Sequence, residues 1–420
     1  MDRRRFLLGV SGATAAAACR PAVAPSLVGD PWAKVRAEFA FAPDWIHLSA
    51  MLLSAHPRVV REAIERHRRG MDENPVEWMH ANEGTWRMHE SAAAYLGVAR
   101  EEIALTDSTT MGLGIVCSGL TLRAGDEIVT STHDHYSLHE ATRLAATRNG
   151  ATLRRVPMYG APATAARDGM VQAVMSAVGP HTRVVGMTWV HSSTGVKIPL
   201  AEIGRAIAKV NESRGPDERV LLVVDGVHGF GVEADDLPAL QCDVFVTGCH
   251  KWLFGPRGTG LVWARREIWP RIQPVIPCFG ADSFNAWKKG VAPPQTNAFM
   301  MTPGGYHSFE HRWSLPEAFE MHLELGKVAV RDRTVALCDR LKKGLQEITT
   351  LHTPLDHALS SGVVCFDVKG LEPEAVVQKL AARKIVATST SNTPSYARLS
   401  PAIFNTEDEI DRTLAAIRAL

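Results

Sequence analysis

Two residues in the second half of the chain have the types and positions that amine and carbonyl chemistry requires. Lys251 follows an apolar run at 244–246 and a small turn, and burial there would lower the pKa of its amine, so that the neutral form can attack an aldehyde. Asp225 follows a second apolar run at 220–224, where its carboxylate can pair with a protonated ring nitrogen. Taken alone, Lys251 could cap a surface turn and Asp225 could cap the turn after its strand.

A polar turn further upstream has the composition of an anion-binding site. Ser108, Thr109 and Thr110 open a predicted helix and offer hydroxyl and backbone N–H donors at its start. Helix N-termini bind phosphate through oriented amides and the positive end of the helix dipole. The same turn would also suit an ordinary helix cap, with Ser108 as the capping residue. The turn therefore indicates an anion site only in combination with Lys251 and Asp225.

These three elements, in this order, resemble the class V aminotransferases, a family that includes the cysteine desulfurases and isopenicillin N epimerase. The resemblance runs from about residue 47 to residue 411, and its most specific part is the stretch 250–258, which reads His-Lys-Trp-Leu-Phe-Gly-Pro-Arg-Gly. It implies the cofactor pyridoxal 5′-phosphate (PLP), an α/β structure of the fold-type I kind, and an enzyme of the aminotransferase, epimerase or lyase type. The expected substrate is an amino acid or an amino-acid-containing metabolite.

The resemblance also implies roles for individual residues. Lys251 carries the Schiff base with PLP, Asp225 pairs with the pyridine nitrogen, and His228 lies near the ring hydroxyl. His250 and the turn at 108–110 hold the phosphate. The residues expected to bind the cofactor or to act in catalysis are Ser108, Thr109, Thr110, His135, Ser192, Asp225, His228, His250 and Lys251.

His135, in the acidic and aromatic segment 134–137, is expected to stack over the cofactor ring by the same resemblance. Stacking fixes the ring plane so that the bond to be broken lies along the π system. Metal binding by His133, His135 and His139 is the competing hypothesis, because alternate histidines can converge on one ion. No carboxylate or further histidine motif of matching spacing accompanies them, so we expect no metal site.

Two residues are predicted to contact the substrate. Arg398 lies in a segment that resembles the one whose arginine binds the substrate carboxylate, and a planar guanidinium suits bidentate contacts with a carboxylate. Pairing of Arg398 with a structural acid is the alternative. Asn74 belongs to the stretch 71–78, which resembles the approach to the pocket in isopenicillin N epimerase-like proteins. The alternative for that stretch is a helix break with a packed Trp78.

The sequence departs from the family pattern at three places. Gly248 stands where desulfurases usually have a phosphate-binding serine, so Thr247 or Cys249 is expected to compensate. Ser192 stands where an asparagine often holds the ring hydroxyl. The stretch 381–398 contains no cysteine, whereas a desulfurase is expected to carry a persulfide-forming thiol in this region. Sulfur transfer by that mechanism is therefore not expected.

The mechanism that follows uses Lys251 twice. Once the substrate amine displaces it from PLP, Lys251 becomes the base that removes the α-proton, while Asp225 keeps the ring electron-poor. Racemisation, transamination and elimination stay open, because the return of the proton decides among them. A non-catalytic protein of the same fold is the alternative from another class, and Lys251 together with Asp225 argues against it. Neither a G-x-S-x-G hydrolase elbow nor a mononucleotide-binding loop occurs in the mature chain.

These residues need a scaffold that brings distant strand ends together, and the pattern along the chain predicts one. Apolar residues at helical spacing, as in 86–96 and 200–210, alternate with short strand-like runs such as 127–130. The alternation predicts a largely parallel sheet covered by helices, with ligands at the C-terminal ends of the strands; by the family resemblance this sheet is of the seven-stranded type. We expect a large PLP-binding domain at 30–310 and a smaller C-terminal α+β domain at 311–420.

The segment from 283 to 307 is rich in Pro, Gly, Asn and Met and predicts a long functional or intersubunit loop. Helical structure is expected to resume over 315–348. The family resemblance implies a homodimer, with Arg312 and Trp313 as contacts that reach the partner subunit.

Residues 1–24 resemble a twin-arginine signal peptide, with a charged start, an Arg pair before Phe-Leu and a short Ala-rich stretch. An amphipathic helix of the mature fold is the alternative. Processing near Ala24 would release a soluble protein, while Cys19 offers a weak lipoprotein site. We therefore expect a periplasmic or extracytoplasmic enzyme. Some periplasmic relatives tailor secreted siderophores such as pyoverdine, and this suggests a similar tailoring role.

The overall composition limits the partners. The chain of 420 residues has 46 basic and 45 acidic side chains and a formal charge of +1, which gives no global field for nucleic acid. Beyond residue 24, no apolar run approaches the roughly 20 residues needed to cross a bilayer. The seven cysteines show no C-x-x-C pair and no paired spacing, so we expect buried thiols. The balanced charge favours a small-molecule partner.

Overall fold

The computed structural model describes residues 31–83 and 86–420, so the predicted signal peptide and Cys19 lie outside the described residues. The strands, in chain order, are β1 Ile46–His47, β2 Ile103–Thr106, β3 Glu127–Ser131, β4 Thr152–Val156, β5 Thr182–Thr188, β6 Leu221–Asp225, β7 Val244–Gly248, β8 Gly260–Ala264, β9 Thr350–Leu351, β10 Val364–Asp367, β11 Ile385–Val386, β12 Thr388–Ser389 and β13 Ala397–Leu399.

The α-helices lie between these strands, as the alternating pattern predicts. They are α1 Pro31–Ala37, α2 Arg58–Glu73, α3 Pro75–Glu83, α4 Arg87–Leu96, α5 Thr109–Gly119, α6 Tyr136–Asn149, α7 Arg167–Ala177, α8 Leu200–Asn211, α9 Ala281–Lys289, α10 Ala298–Met301, α11 Phe309–Arg312, α12 Leu315–Leu325, α13 Lys327–Ile348, α14 Pro373–Ala381 and α15 Glu407–Arg418. Short 3-10 helices lie at Arg100–Glu102, Pro162–Thr164, Pro216–Glu218, Leu237–Leu240 and Trp269–Arg271.

Seven strands form the central sheet, in the order β2-β8-β7-β6-β5-β3-β4. Strand β8 runs antiparallel to both of its neighbours, whereas the pairs from β7 across to β4 are all parallel. The predicted α/β fold of the fold-type I kind, with a mostly parallel sheet covered by helices, is confirmed. Since the parallel strands point the same way, the residues that follow β3, β5, β6 and β7 meet at one edge.

The sheet is buried on both faces, which explains why its strands read as continuous apolar runs. In β6 the side chains of Leu221 and Val223 pack into the core that includes α5 and α6. Those of Leu222 and Val224 pack into the opposite core, with residues of α4, α8 and α12. Helix layers on both sides therefore hold the strand ends that carry the polar residues.

The smaller C-terminal unit is built on a second, antiparallel sheet of order β12-β13-β10-β9. Its core combines residues of α13, α14 and α15 with Ile46 and Leu48 from the beginning of the described chain. Strand β1 joins this unit by pairing in parallel with β11, through Ile46 with Ile385 and His47 with Val386. The boundary near residue 310 stays a prediction, and a short N-terminal segment packs with the C-terminal unit.

One local prediction needs correction. The segment 283–307 is not one long loop, because it contains most of α9 and all of α10. The helical structure predicted over 315–348 is confirmed: it forms two helices, α12 and α13, divided at Gly326 with φ of 84°. The left-handed backbone that glycine adopts easily explains this break.

Arg312 and Trp313, the expected contacts with a partner subunit, are buried within their own chain. Arg312 is 8% exposed and its Nη2 donates to Asp107 Oδ1 over 2.8 Å. The Trp313 ring stacks on Phe309 with ring centroids 4.9 Å apart. The structure thus gives both side chains intrachain roles. No helix in the described part of the chain is long and apolar enough to span a membrane.

Candidate active site

One pocket forms where the ends of β6 and β7 face the first turn of α5. It is lined by Ser108, Thr109, Thr110, His135, Ser137, Asp225, Val227, His228, His250 and Lys251. Eight of the nine residues predicted for the cofactor site are in this set, and the ninth, Ser192, lies beside Arg398. The site is therefore assembled from residues more than 140 positions apart in the sequence.

The first turn of α5 supplies the hydroxyl groups of the pocket. Ser108 is the N-cap residue, and its hydroxyl accepts from Met111 N over 3.1 Å. Thr110 Oγ1 lies 3.2 Å from Ser137 Oγ. Thr109 Oγ1 is buried and has no hydrogen-bond partner. A buried hydroxyl without a partner carries a free-energy cost that an anion or another acceptor at this helix start would remove.

Asp225 is the last residue of β6 and is 2% exposed. Its Oδ1 accepts one backbone hydrogen bond, from Val227 N over 3.2 Å. Burial raises the pKa of Asp225 to about 6, although that hydrogen bond and the nearby Lys251 act in the opposite direction. A carboxylate held in this way gains from a cationic partner, which a protonated ring nitrogen would supply.

Lys251 lies three residues after β7 with its Nζ 3.3 Å from His228 Nε2. Burial lowers the pKa of Lys251 to about 8, opposed by Asp225 and assisted by the positive charge of Arg398. A substantial neutral fraction at neutral to mildly alkaline pH is what a lysine nucleophile or base requires. His228 is 3% exposed, and its burial together with the Lys251 charge lowers its pKa well below the usual range.

The remaining imidazoles of the pocket are also kept neutral. Burial lowers the pKa of His250 to about 4, with further contributions from Lys251 and Arg257. Burial, followed by the charges of Lys251 and Arg398, lowers the pKa of His135. His135 Nδ1 accepts from Ser137 N over 3.2 Å, which makes His135 the N-cap of α6 and fixes its ring at the end of β3.

Arg398, in β13, comes from the smaller unit and is 8% exposed. Its guanidinium donates to Thr388 Oγ1 over 3.0 Å, to Ser192 O over 2.8 Å and to Ser389 O over 2.7 Å. All three acceptors are neutral, and among the described residues no acidic side chain forms an ion pair with Arg398. Each terminal nitrogen retains one further N–H, which together match one carboxylate.

Two sequence-based expectations about the site find no support in the pocket of this chain. Asn74 is exposed at the junction of α2 and α3 and does not line this pocket, so its contact with substrate stays a prediction. The neighbouring Trp78 packs against Gly70 and donates to His67 Nδ1 over 3.3 Å, so the helix break with a packed tryptophan is what the chain adopts.

The residues expected to compensate for Gly248 point elsewhere. Thr247 is fully buried and its hydroxyl donates to Gly248 O over 3.1 Å. Cys249 is also fully buried, and burial raises the pKa of its thiol to about 12. A Cβ at position 248 would lie 3.1 Å from both the His250 ring and Thr109 Oγ1. The absence of a side chain at Gly248 therefore keeps space open beside His250 and the first turn of α5.

The alternative metal site is not formed by the three histidines considered for it. His133 stacks on Tyr159 with ring centroids 3.9 Å apart, His139 Nε2 contacts Ser131 O over 2.8 Å, and His135 faces the pocket. Within residues 31–83 and 86–420, no group of three or more His, Cys, Asp or Glu side chains could hold a metal ion.

Two pocket residues, Ser137 and Val227, were not predicted from the sequence. Ser137 follows the stacking candidate by two positions, and its place after β3 was the available signal. Val227 contributes through a backbone N–H to Asp225, a contact that no side-chain pattern reveals.

The pocket fits the cofactor that the sequence suggested. Two of its buried polar atoms, Thr109 Oγ1 and His228 Nδ1, have no partner, so they can serve a phosphate and a ring hydroxyl. Asp225 is suited to a cationic partner, Lys251 is partly neutral, and His135 is an aromatic ring that follows β3 at the same edge of the sheet. These three residues match the pyridine nitrogen, the aldehyde and the ring face of PLP, respectively.

The comparisons with known proteins agree with this pocket. The family model described as aminotransferase class-V matches residues 55–413. The chain is 26% identical over 404 residues to the isopenicillin N epimerase of Streptomyces clavuligerus, and the aligned region covers 93% of this chain and 98% of that protein. It is 26% identical over 341 residues to a cysteine desulfurase of Cronobacter sakazakii, and that alignment covers 76% of this chain and 77% of the desulfurase.

Two solved structures are similar in fold. One is a C-DES mutant with glycine covalently linked to its PLP cofactor, with a TM-score of 0.80 and 23% identity over 91% of this chain and 98% of that one. The other is the cysteine desulfurase of Thermococcus onnurineus, with a TM-score of 0.79 and 21% identity over 92% and 97%.

Proposed function

This chain belongs to the aminotransferase class-V family of PLP-dependent enzymes, and we propose that it acts at the amino group or the α-carbon of an amino acid or an amino-acid-containing metabolite. One observation carries the proposal. Lys251 and Asp225 line one pocket, and the positive charge of the buried Arg398 contributes to the lowered pKa of Lys251. An amine-reactive group, a partner for the ring nitrogen and a carboxylate-binding guanidinium are thus brought to one site.

The pocket residues divide between the parts of the cofactor. The first turn of α5 and His250 would hold the phosphate, Asp225 would hold the ring nitrogen, and His228 or Ser192 would hold the ring hydroxyl. Lys251 would hold the aldehyde carbon. When bound, PLP supplies an electron-poor ring that accommodates the negative charge left at the α-carbon after proton removal.

The proton chemistry is carried by the side chains of the chain itself. Lys251 Nζ, with its lowered pKa, takes the α-proton and can return it. His228 Nε2, 3.3 Å away, is a neutral hydrogen-bond partner that keeps Lys251 Nζ beside the pocket without adding a competing charge. Asp225 is 2% exposed, so its charge acts through a water-poor medium in which its pairing with a cation is strong.

Arg398 selects an acid over a simple amine. Its guanidinium is oriented by Thr388, Ser389 and the carbonyl of Ser192, so little side-chain entropy is lost when a carboxylate binds. Because no acidic residue of the described chain neutralises it, a substrate carboxylate would be its counter-ion. This is the reason to favour amino acids over decarboxylated amines.

Sulfur transfer through a persulfide is not part of the proposal, even though cysteine desulfurases are among the relatives. The cysteines nearest to the pocket and to Arg398 are Cys249 and Cys365, both fully buried. Burial raises the pKa of each thiol to about 12, so neither is a nucleophile at neutral pH. Epimerisation, transamination and elimination remain the candidate outcomes.

Deuterium exchange tests the proposed substrate class. The PLP-loaded protein is incubated in heavy water with a panel of amino acids, and α-deuteration is measured by mass spectrometry. All three candidate outcomes require removal of the α-proton. For at least one amino acid in the panel, the proposal therefore predicts either an α-deuterated amino acid or conversion to a 2-oxo acid, the product of transamination and of elimination. Lys251→Ala is the matched control and should show neither. Uniform absence of both exchange and conversion in a PLP-loaded protein would contradict the proposed function and favour a non-catalytic role.

We further propose export of the folded enzyme by the twin-arginine route and a role in maturing a secreted amino-acid-containing metabolite such as a siderophore. The support is the character of residues 1–24 alone. Fractionation of producing cells should place the protein outside the cytoplasm, and replacement of the Arg pair by Lys should retain it inside. Deletion of the gene should alter the masses of secreted metabolites under producing conditions.

A homodimer is also proposed. Large apolar side chains are exposed around α9, including Phe279, Trp287 and Tyr306 at 59%, 75% and 83% exposure. Such a patch is typical of a contact surface. Light scattering on the purified protein should give about twice the chain mass of 45.8 kDa, and a monomer at micromolar concentration would contradict this.

A further inference from the structure

A short turn between the two structural units receives the backbone contact from Arg398. It runs from His191 to Gly195, immediately after β5, and is closed by a hydrogen bond from Gly195 N to His191 O over 2.8 Å. Gly195 has φ of 73°, and a Cβ there would lie 2.2 Å from Val363 O. The turn is therefore packed tightly against the smaller unit and has little freedom to rearrange.

The hydroxyl of Tyr159 joins the two ends of this turn. It lies 2.7 Å from His191 Nδ1 and 2.8 Å from Thr194 Oγ1. Tyr159 follows β4, so its hydroxyl is brought to the turn from another part of the large domain. The ring is fixed in place by a stack on His133, with an interplanar angle of 10°. One oxygen atom thus bridges the side chains of residues 191 and 194, in addition to the backbone hydrogen bonds that close the turn.

The smaller unit contacts the same turn at two carbonyl groups. Arg398 Nη1 donates to Ser192 O over 2.8 Å, and Thr353 Oγ1 donates to Thr194 O over 2.7 Å. Ser192 lies inside the span that Tyr159 closes. The position of its carbonyl, and hence of the Arg398 guanidinium, depends on the shape of the turn.

The other end of the turn is connected to the strand that carries His135. Asp134 accepts from Ser131 N over 2.7 Å and from Thr188 N over 2.8 Å, which ties the end of β3 to the end of β5. His191 Nε2 lies 3.5 Å from Asp134 Oδ1. The chain of contacts from Asp134 through His191 to Tyr159 is buried.

We propose that Tyr159 is a positioning residue for substrate-carboxylate recognition, because its hydroxyl holds the 191–195 turn in the shape that orients Arg398. This inference rests on the proposed function, in which Arg398 binds the carboxylate. Tyr159 touches neither Arg398 nor the lining of the cofactor pocket. Its effect is therefore on carboxylate binding and not on amine chemistry, and this separates it from a residue that only stabilises the fold.

The test compares two ligands that differ only by a carboxylate. Glycine and methylamine are titrated into the PLP-loaded full chain, and each dissociation constant is taken from the change in visible absorption. Tyr159→Phe removes the hydroxyl but retains the ring stacked on His133. The expected result is about a fivefold to tenfold weaker binding of glycine, the effect of one ordinary hydrogen bond, with methylamine changed less than about twofold.

Two further variants provide controls. Tyr95→Phe also removes a buried tyrosine hydroxyl, at a ring that is 3% exposed and packed against Phe230 and Phe319 in the helix layer, and should change neither ligand. Thr194→Val removes the second partner of the Tyr159 hydroxyl at nearly constant volume and should reproduce the selective loss of glycine binding.

Hydrogen exchange of the full chain gives a readout that does not depend on ligand binding. Tyr159→Phe should speed exchange in the peptide that spans residues 189–196, and Tyr95→Phe should not.

The outcomes separate this inference from the proposed function. Arg398→Lys is titrated with both ligands in parallel. If it removes the preference for glycine while Tyr159→Phe leaves the preference intact or weakens both ligands equally, the role of Tyr159 is refuted and the role of Arg398 stands. If Arg398→Lys leaves the preference unchanged, the carboxylate-binding role of Arg398 fails, and the inference about Tyr159 falls with it.

Discussion

Replacement of Asp225 by asparagine should stabilise the cofactor-free protein at neutral pH. The buried carboxyl has its pKa raised from an ordinary 3.8 to about 6, mainly by desolvation. A raised folded-state pKa means that stability is fully present below about pH 3.8 and is lost as pH rises through about 6. The gap of roughly two pH units between the ordinary and the raised pKa lowers the free energy of unfolding by about 3 kcal/mol at pH 8. Asparagine retains an oxygen that can accept from Val227 N and carries no charge.

The assay is urea unfolding of the cofactor-free wild type and of Asp225→Asn, followed by fluorescence at pH 4 and pH 8. The variant should gain up to about 3 kcal/mol at pH 8 and little at pH 4. Asp134→Asn is the matched control, because Asp134 is equally buried and its pKa is lowered, in spite of desolvation, by the neighbouring His191 and by hydrogen bonds from Thr188 N and Ser131 N. Its ionised form stabilises the fold, so Asp134→Asn should lose stability at pH 8 and lose less as the pH falls.

A loss of stability in Asp225→Asn at pH 8, comparable with that of Asp134→Asn, would show that the folded chain alone stabilises the Asp225 carboxylate. If instead the carboxylate lowers the free energy of unfolding until a cation binds beside it, addition of PLP should narrow or reverse the stability advantage of the variant.

The remaining predictions concern the first turn of α5, the smaller C-terminal unit and Arg398. Ser108→Ala should lower the affinity for PLP by about fivefold in a spectroscopic titration, because it removes a donor and the cap that orders the first turn of α5; an unchanged affinity would exclude this turn as the phosphate seat. Thr406→Ala should cost about 1 kcal/mol of stability in thermal unfolding, since it destroys the capping box of α15, and should leave PLP affinity unaltered. Arg398→Lys should weaken amino acid binding by about 2 kcal/mol through loss of the bidentate fork, measured as a shift in the dissociation constant; wild-type affinity would show that the carboxylate binds elsewhere.

Much of the large domain could be predicted because its signals are local. The apolar runs of β6 and β7 are continuous since both faces of the sheet are covered. Asp225 ends β6 and Lys251 follows β7 by three residues, and both line the pocket. Ser108 capped a helix as its type suggests. The segment 283–307 was harder to predict, because α9 is short and contains Asp, Ser and Asn, which have low helix propensity, and α10 is a single turn of four residues.

The site could be predicted as far as it depends on residue type. The residue types and positions of Lys251, Asp225 and the turn at 108–110 indicate their chemistry, and the structure places them around one pocket. The assignment of Asn74 came from resemblance alone, and in the structure this residue lies outside the pocket, at the helix break where Trp78 packs on Gly70. The Tyr159 contact with the 191–195 turn joins residues over 30 positions apart and follows no periodicity, so only the structure reveals it.

Reductive trapping shows whether Lys251 holds PLP covalently. The purified protein is saturated with PLP, reduced with borohydride, digested and analysed by mass spectrometry, with Lys251→Ala treated in parallel. A pyridoxyl group is expected on Lys251 in the wild type, with no labelled peptide in the variant. A label on a different lysine, or none in a protein that has been saturated with PLP, would show that Lys251 does not hold the cofactor.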